Sequence, residues 1–154
     1  MRVMEGWRVP GMDEAESRAW LGLMRVVELL PAALDAQLQR DSGMTHFDFM
    51  VLSMLRFAPG RTLRMTALAR DTNATLPRLS HVCARLEGRG LVARATCASD
   101  RRATNVTLTP LGARRLARAT PGHIATARRL VIDALSPAQL EALASVTELL
   151  GRRL

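Results

Sequence analysis

The segment from Met65 to Thr109 constrains the fold of this chain more than any other part. A short helical pattern leads into the polar turn Asp71–Ala74, and a second helical pattern then runs as far as Gly90. Two alternating stretches follow, with Ser99–Arg102 between them as the turn of a hairpin. Helix, tight turn, helix and basic hairpin is the element order of a winged helix-turn-helix, which we predict over residues 45–109.

Positive charge is concentrated in the same part of the chain. Residues 1–55 carry five arginines and eight acids, residues 56–118 thirteen arginines and three acids, and residues 119–154 four arginines and three acids. All 22 basic residues are arginine, which codon bias would explain, but codon bias does not explain their clustering. A basic centre between nearly neutral ends is the pattern that a nucleic-acid phosphate backbone attracts.

Length and composition favour a soluble, folded protein. A chain of 154 residues that is 48% apolar can bury its own core. No stretch approaches the ~18 consecutive apolar residues of a membrane span, and the first residues lack a signal-peptide pattern. The two cysteines fit a reducing compartment. We therefore expect a cytoplasmic protein that does not contact membranes.

Helical patterns flank the central segment on both sides. After residues 1–12, which lack periodicity and are predicted to be a flexible arm, Asp13 and Glu16 form a capping box and open a helix that ends near Gly43. At about 28 residues this helix would be ~42 Å long, so part of it is expected to pack on another subunit. Ser136 and Gln139 form a capping box for the last helix.

The other helix boundaries follow from capping residues and prolines. Thr45 and Asp48 form a capping box for a helix that Pro59 and Gly60 end. Residues 110–135 are predicted to be one helix or a helix interrupted at Pro121. The residues expected on the buried side of the helix after Thr45 are Phe47, Met50, Val51, Met54 and Leu55.

The second helix of the central segment has an apolar face and a basic face. At 100° per residue its apolar residues fall in one arc, expected to face the core: Leu76, Leu79, Val82, Cys83 and Leu86. A basic face opposite an anchored one suits the major groove, where residues near the helix N-terminus usually reach the bases. An ordinary solvated face is the alternative. The DNA-contacting residues predicted here are Thr75, Pro77, Arg78, His81 and Arg85.

The hairpin tip supplies a second predicted DNA contact, formed by Asp100, Arg101 and Arg102. Asp100 and Arg102 are two residues apart at a tight turn, so the carboxylate can hold the guanidinium in one direction. An arginine fixed in this way suits the narrow minor groove. The alternative is an exposed turn, because Ser-Asp is common in turns.

Catalytic and metal-binding patterns are weak. The glycines at 88 and 90 follow a helix and precede a strand, the reverse of the order that binds a pyrophosphate. His46, His81 and His123 have no carboxylate or cysteine at ligand spacing, and the chain has no tyrosine. We therefore expect no enzymatic activity, no cofactor and no metal.

Two further hypotheses concern regulation. Cys97 lies near the arginines of the hairpin, which would favour its thiolate and its oxidation, but an incidental exposed thiol is the favoured interpretation. The methionines and their apolar neighbours on the first two helices suit either a ligand pocket or an ordinary core. Arg25 would either anchor an anionic ligand or remain solvated. The candidate pocket residues are Trp20, Met24, Arg25, His46, Phe49, Met50 and Met54.

Three motifs together resemble the MarR family of bacterial transcription regulators. They are the run Arg85-Leu86-Glu87-Gly88-Arg89-Gly90-Leu91-Val92-Ala93-Arg94, the triplet Asp100-Arg101-Arg102, and the run Val106-Thr107-Leu108-Thr109-Pro110-Leu111-Gly112. Each motif alone is weak, but the set is specific. The resemblance is strong over residues 65–112, and the order of the flanking helices also fits.

The resemblance implies a mainly helical homodimer. Residues 13–43 and 110–154 would form the dimerisation region, and each winged helix-turn-helix lobe would carry a two-stranded wing. Recognition helices would enter successive major grooves of a near-palindromic operator, while Arg102, steadied by Asp100, would enter the minor groove. Pro77 departs from the family pattern, which often has a hydroxyl residue there to contact phosphate.

We therefore expect a sequence-specific, double-stranded DNA-binding regulator. The resemblance implies a repressor that a small phenolic or anionic ligand releases from DNA. The alternatives are a winged-helix module used for protein or RNA contact, and a repressor switched by oxidation of Cys97.

Overall fold

A computed structural model of the chain describes residues 7–97 and 100–153, with the backbone alone described for residues 100–102. The chain divides into two compact units whose boundary, between Ala33 and Leu34, lies inside the first helix. The described helices are α1 (Glu14–Ser42), α2 (His46–Phe57), α3 (Met65–Asp71), α4 (Leu76–Gly88), α5 (Pro110–Leu130) and α6 (Pro137–Gly151). The strands are β1 (Thr62–Arg64), β2 (Val92–Cys97) and β3 (Asp100–Leu108). The predicted mainly helical winged fold is thereby confirmed.

The three predicted capping boxes are present. Asp13 Oδ1 accepts the backbone N–H of Glu16 at 2.9 Å, and Glu16 Oε2 accepts that of Asp13 at 2.8 Å. Thr45 with Asp48 and Ser136 with Gln139 make the same reciprocal bonds at the starts of α2 and α6. These side chains satisfy backbone donors that a helix N-terminus leaves unpaired. For this reason the positions at which these three helices begin can be predicted from the sequence.

The strands form one antiparallel sheet in the order β1-β3-β2. Leu63 and Arg94 both pair with Val106, which lies in the central strand. The two-stranded wing therefore gains a short third strand, β1, between α2 and α3. The pairing of β2 with β3 changes register between Thr96 and Cys97, near the tip.

Residues from the end of α1, from α2, α3, α4 and α5, and from the sheet bury a common core in the second unit. Two apolar positions on the helices differ from expectation. Leu76 is 47% exposed, because it is the first residue of α4 and the packed face begins a turn later at Leu79. Met54 is also exposed, because it lies outside the buried face of α2. The residues of that buried face are Asp48, Val51, Leu52 and Leu55.

Helix α5 continues through Pro121 without interruption. Proline has no N–H to donate to the carbonyl of Ala117, four residues earlier. Ala117 is exposed, so water can bind that carbonyl, and the helix tolerates the lost bond. The interruption considered at Pro121 is therefore absent.

The first unit contains the N-terminal part of α1 and the segment before it. Residues 1–6 of the predicted arm lie outside the described residues. The backbone N–H of Val9 donates to Oγ of the buried Ser17 at 3.0 Å, which holds residue 9 against α1. Within the described ranges, no helix is both long and apolar enough to cross a membrane.

Candidate nucleic-acid interface

The turn between α3 and α4 is held by its own polar groups. Thr72 is buried, and its hydroxyl donates to the carbonyl of Leu68 at 2.6 Å. Asn73 has a φ of +48°, a left-handed conformation that asparagine adopts more readily than most residues. Thr75 then caps α4 by accepting the backbone N–H of Arg78. These local interactions fix where α4 begins.

Helix α4 is anchored on one face and exposed on the other. The buried residues are Leu79, Val82, Cys83 and Leu86. Thr75, Pro77, Arg78 and His81 are exposed, so the structure presents most of the predicted contact residues together at the N-terminal half of α4. Such a helix can approach a groove without exposing its apolar side.

Two arginines of the basic face contact α2. The guanidinium of Arg78 lies over the ring of Phe47, 4.5 Å from its centroid. Arg85 Nη2 donates to Oδ1 of the buried Asp48, and the Arg85 side chain remains 44% exposed. The sequence interpretation assigned both arginines to DNA without anticipating these intramolecular partners.

The wing is attached to the end of α4 by Glu87 and Arg94. Glu87 Oε1 accepts the backbone N–H of Arg94, and Glu87 Oε2 accepts its Nε, both at 2.8 Å. These bonds lower the pKa of Glu87, the side-chain bond more than the backbone bond. Gly90 turns the chain between the two elements at a φ of +69°, which favours glycine.

A close approach fixes the base of the wing against α5. A Cβ on Gly112 would lie 2.0 Å from the carbonyl oxygen of Leu91, so only glycine fits without a shift of the backbone. The hydroxyl of Thr109 donates to the carbonyl of Gly90 at 2.7 Å. Five residues of the motifs quoted above thus have structural partners: Glu87, Gly90, Arg94, Thr109 and Gly112.

The wing tip is described only in part. Asp100, Arg101 and Arg102 begin β3, and the proposed ion pair between Asp100 and Arg102 lies outside the described side chains. Cys97 is half-buried opposite Asp100 in the sheet, and its Sγ accepts from Nη2 of Arg64 at 3.9 Å.

The candidate pocket residues lie in both units. Trp20 and Arg25 are exposed and Met24 is half-buried on the first part of α1. His46, Phe49 and Met50 are half-buried on α2, whereas Met54 is exposed.

His123 on α5 packs near two of these α2 residues. Its ring centroid is 4.3 Å from that of Phe49 and 5.7 Å from that of His46. Burial, and to a lesser degree His46, lowers the pKa of His123. Nδ1 of His123 and Oε1 of Gln37 are buried without a hydrogen-bond partner among the described residues.

No group of three or more metal-ligating His, Cys, Asp or Glu side chains occurs among the residues that the structure describes.

Sequence reasoning overlooked the residues that orient α4 and the wing. The capping pattern identifies Asp48 only as a helix cap, although an acid between two phenylalanines of an apolar pattern indicates a buried, paired carboxylate. Glu87 and Arg94 belong to the quoted motif, but their bond became evident only in the fold.

Comparisons with known proteins agree with this arrangement. The model of the MarR family matches residues 42–103. The chain is 39% identical to Sco3205, a MarR family transcriptional regulator from Streptomyces coelicolor solved in complex with DNA; the match covers 93% of this chain and 90% of that chain, with a TM-score of 0.88. AbsC, a MarR family regulator from the same organism, is 33% identical over 94% of this chain and 97% of its own, with a TM-score of 0.87.

A more distant structure shares the fold. It is BpsR of Bordetella bronchiseptica, whose regulation of DNA binding by 6-hydroxynicotinic acid has been described. The identity is 24%, the coverage 87% of this chain and 98% of that chain, and the TM-score 0.76.

The chain belongs to the MarR family of DNA-binding transcriptional regulators. The resemblance carried by the sequence motifs is thereby confirmed, and the family is one of regulators rather than enzymes.

Proposed function

We propose that this protein is a homodimeric repressor that binds a near-palindromic operator and leaves it when a small ligand binds. The observation that carries the proposal is the two-sided character of α4. Its apolar face is buried, while Thr75, Arg78 and His81 are exposed near its N-terminal end. This arrangement suits base contacts in a major groove, and the basic wing suits contacts to the neighbouring minor groove.

The dimer is supported by apolar side chains that the single chain leaves exposed. In α6 these are Leu140, Leu143, Val146, Leu149 and Leu150. In the first part of α1 they include Leu23, Val26, Val27 and Leu29. Apolar surface of this extent marks an interaction site in a soluble protein. A second copy with the same faces would bury it and would set two recognition helices about 34 Å apart.

The dimer is tested by placing a carboxylate in the apolar face of α6. Val146→Asp should shift the sedimentation coefficient from that of a dimer towards that of a monomer. Glu141→Gln, an exposed change on the same helix, is the control and should leave the dimer intact. An unaltered sedimentation profile for Val146→Asp would remove α6 from the proposed interface.

DNA binding is tested by a mobility-shift assay on the DNA flanking the gene. We expect a discrete complex that excess unrelated duplex does not remove. If about six phosphates are contacted, the logarithm of the binding constant against that of salt concentration has a slope of about −5. A flat salt response, or binding only to RNA or protein, would favour the alternative winged-helix module.

We also propose that a small ligand binds the protein and releases it from DNA. BpsR, which shares the fold, offers a precedent, since its DNA binding is regulated by an aromatic acid. Titration of the operator complex with small phenols and aromatic acids should release the DNA at saturating ligand. Arg25→Gln should weaken release by anions and leave operator affinity without ligand unchanged. Release by peroxide that Cys97→Ser abolishes would instead support the redox alternative.

A further inference from the structure

Asp48 lies at the contact between α2 and α4 and uses both of its carboxylate oxygens. It is 1% exposed. Its Oδ2 accepts the backbone N–H of Thr45 at 3.1 Å, which caps α2. Its Oδ1 accepts Nη2 of Arg85, and Nη1 of Arg89 lies 3.9 Å from Oδ2. The carboxylate thus joins the first turn of α2 to Arg85 of α4 and to Arg89, the residue that follows α4.

The buried negative charge of Asp48 requires positively charged partners at this contact. A buried carboxylate is costly unless it has counter-charges and hydrogen bonds. Within the described side chains, its ion-pair partners are Arg85, in the last turn of α4, and Arg89, which caps the end of that helix. A rotation or a slide of α4 would separate the carboxylate from both, so the pairing favours one orientation of α4 on α2.

The neighbouring residue of α2 contacts α4 again, two turns earlier. Phe47 lies beneath the guanidinium of Arg78. Arg78 and Arg85 are seven residues apart, so they lie on the same side of the helix. The first turn of α2 therefore holds this side of α4 at two points, one through a ring face and the other through a buried charge.

We infer that Asp48 is a positioning residue for DNA recognition and acts through Arg85. In this arrangement Arg85 binds Asp48 rather than a base, and Arg78 and His81 are left to read the operator. The inference rests on the proposed function of α4 as a recognition helix. It predicts that loss of the Asp48–Arg85 pair reduces preference for the operator more than it reduces general affinity for duplex DNA.

The test compares Asp48→Asn, Arg85→Gln and the double variant. Asparagine keeps the shape of aspartate and an oxygen that can cap α2, but it lacks the charge. Each single variant should bind the operator roughly 10- to 100-fold more weakly and unrelated duplex within about threefold of the parent. Because both variants break one pair, the double variant should match the weaker single variant within about threefold.

A matched pair controls for the change of charge. Arg128 and Asp133 form an exposed ion pair at 2.8 Å, and neither residue belongs to α4 or the wing. Arg128→Gln and Asp133→Asn change the net charge by the same amounts, and they should leave the preference for the operator unchanged. Circular dichroism melts establish that every variant is folded, and titration with the operator at protein concentrations well above the dissociation constant gives its DNA-binding fraction.

Salt dependence separates positioning from direct contact. If Arg85 positions α4, the salt slope of Arg85→Gln on unrelated duplex equals that of Arg128→Gln. A decrease of about 0.9 relative to that control would show that Arg85 contacts a phosphate and would overturn the inference. Additive losses in the double variant would overturn it as well.

One further variant covers the case in which Asp48→Asn does not fold. Arg85→Lys keeps the charge beside Asp48, and it should recover most of the preference that Arg85→Gln loses. If Arg85→Lys and Arg85→Gln bind alike, the inference fails. A parent protein with no preference for any duplex would contradict the proposed function itself, whereas a specific parent with additive variants contradicts only the role of Asp48.

Discussion

Glu87, in the last turn of α4, binds both the backbone and the side chain of Arg94 in β2. The two bonds are 2.8 Å long and end on different carboxylate oxygens. A single residue of α4 thereby sets the direction in which the wing leaves this helix. Because of this connection, α4 and the wing, which carry the proposed DNA contacts, are expected to move together.

Glu87→Gln should loosen the wing. Glutamine keeps one oxygen that can accept the N–H of Arg94 but loses the charge that attracts the guanidinium. Amide hydrogen exchange across residues 92–97 should become faster, while exchange in α2 stays the same. Because the bonds to Arg94 lower the pKa of Glu87, their stabilisation is present above about pH 4.5 and is lost as the pH falls. Equal exchange in both proteins would show that the wing is held by other contacts.

Gly112→Ala should destabilise the fold. The added Cβ meets the backbone carbonyl of Leu91, which cannot rotate away, so α5 must move away from the start of β2. We expect this movement to cost about 3 kcal/mol of folding free energy. The measurement is the free energy of unfolding in urea. Gly88→Ala is the control, because a Cβ there meets nothing within 4 Å. Similar stabilities for the two variants would contradict the close approach to Leu91.

His123 should make stability depend on pH. Burial lowers its pKa from 6.5, so the unfolded chain binds a proton that the folded chain does not. The free energy of unfolding should therefore fall as the pH decreases through about 6.5 towards the lower pKa of the folded state. His123→Gln should flatten this part of the curve, whereas His81→Gln, at an exposed position, should preserve it. A curve unaltered by His123→Gln would assign the effect to another group.

The two thiols should differ in reactivity. Burial raises the pKa of Cys83 from 9.0 to about 11, which leaves it protonated near neutral pH. At about pH 8 its thiolate fraction is roughly 0.1%. In the folded protein, an aromatic disulfide reagent should react slowly with Cys97→Ser and faster with Cys83→Ser. Denaturant should equalise the two rates, and rapid reaction of folded Cys97→Ser would contradict the burial of Cys83.

Arg78→Ala should weaken operator binding by about 1–3 kcal/mol and relax the preference at one base position. Phe47→Leu keeps an apolar side chain beneath Arg78 but removes the ring face, and a smaller loss of about 0.5–1 kcal/mol is expected. Fluorescence anisotropy with a set of single-base operator variants measures both effects. If Arg78→Ala weakens all duplexes equally, Arg78 contacts phosphate rather than a base.

The elements of the fold were largely predictable because their signals are local. The capping boxes that predict the starts of α1, α2 and α6 each involve residues only three positions apart. The polar turn before Thr75 likewise predicts the start of α4. Apolar periodicity located most of the buried face of α4. The periodicity wrongly predicted that Leu76 is buried. Leu76 lies on the apolar side of α4, but at the first residue of the helix it remains exposed.

The candidate site was predicted less completely than the fold. Arg78 and His81 were correctly expected to be exposed, since a basic face opposite an apolar one can be read from helical spacing alone. The partner of Arg85 could not be read in this way, because Asp48 is 37 residues distant in sequence. Likewise, the contact that requires glycine at position 112 involves a backbone oxygen of another element.

The sequence by itself determined the order of the elements and the basic character of α4, because short-range hydrogen bonding and residue spacing encode both. Its motifs also indicated the family. Only the tertiary structure decided which arginine is bound within the protein, how the wing is tied to α4, and where a third strand joins the sheet. These features depend on groups that packing brings together from distant positions, and a buried charge or a close backbone approach exists only after the chain has folded.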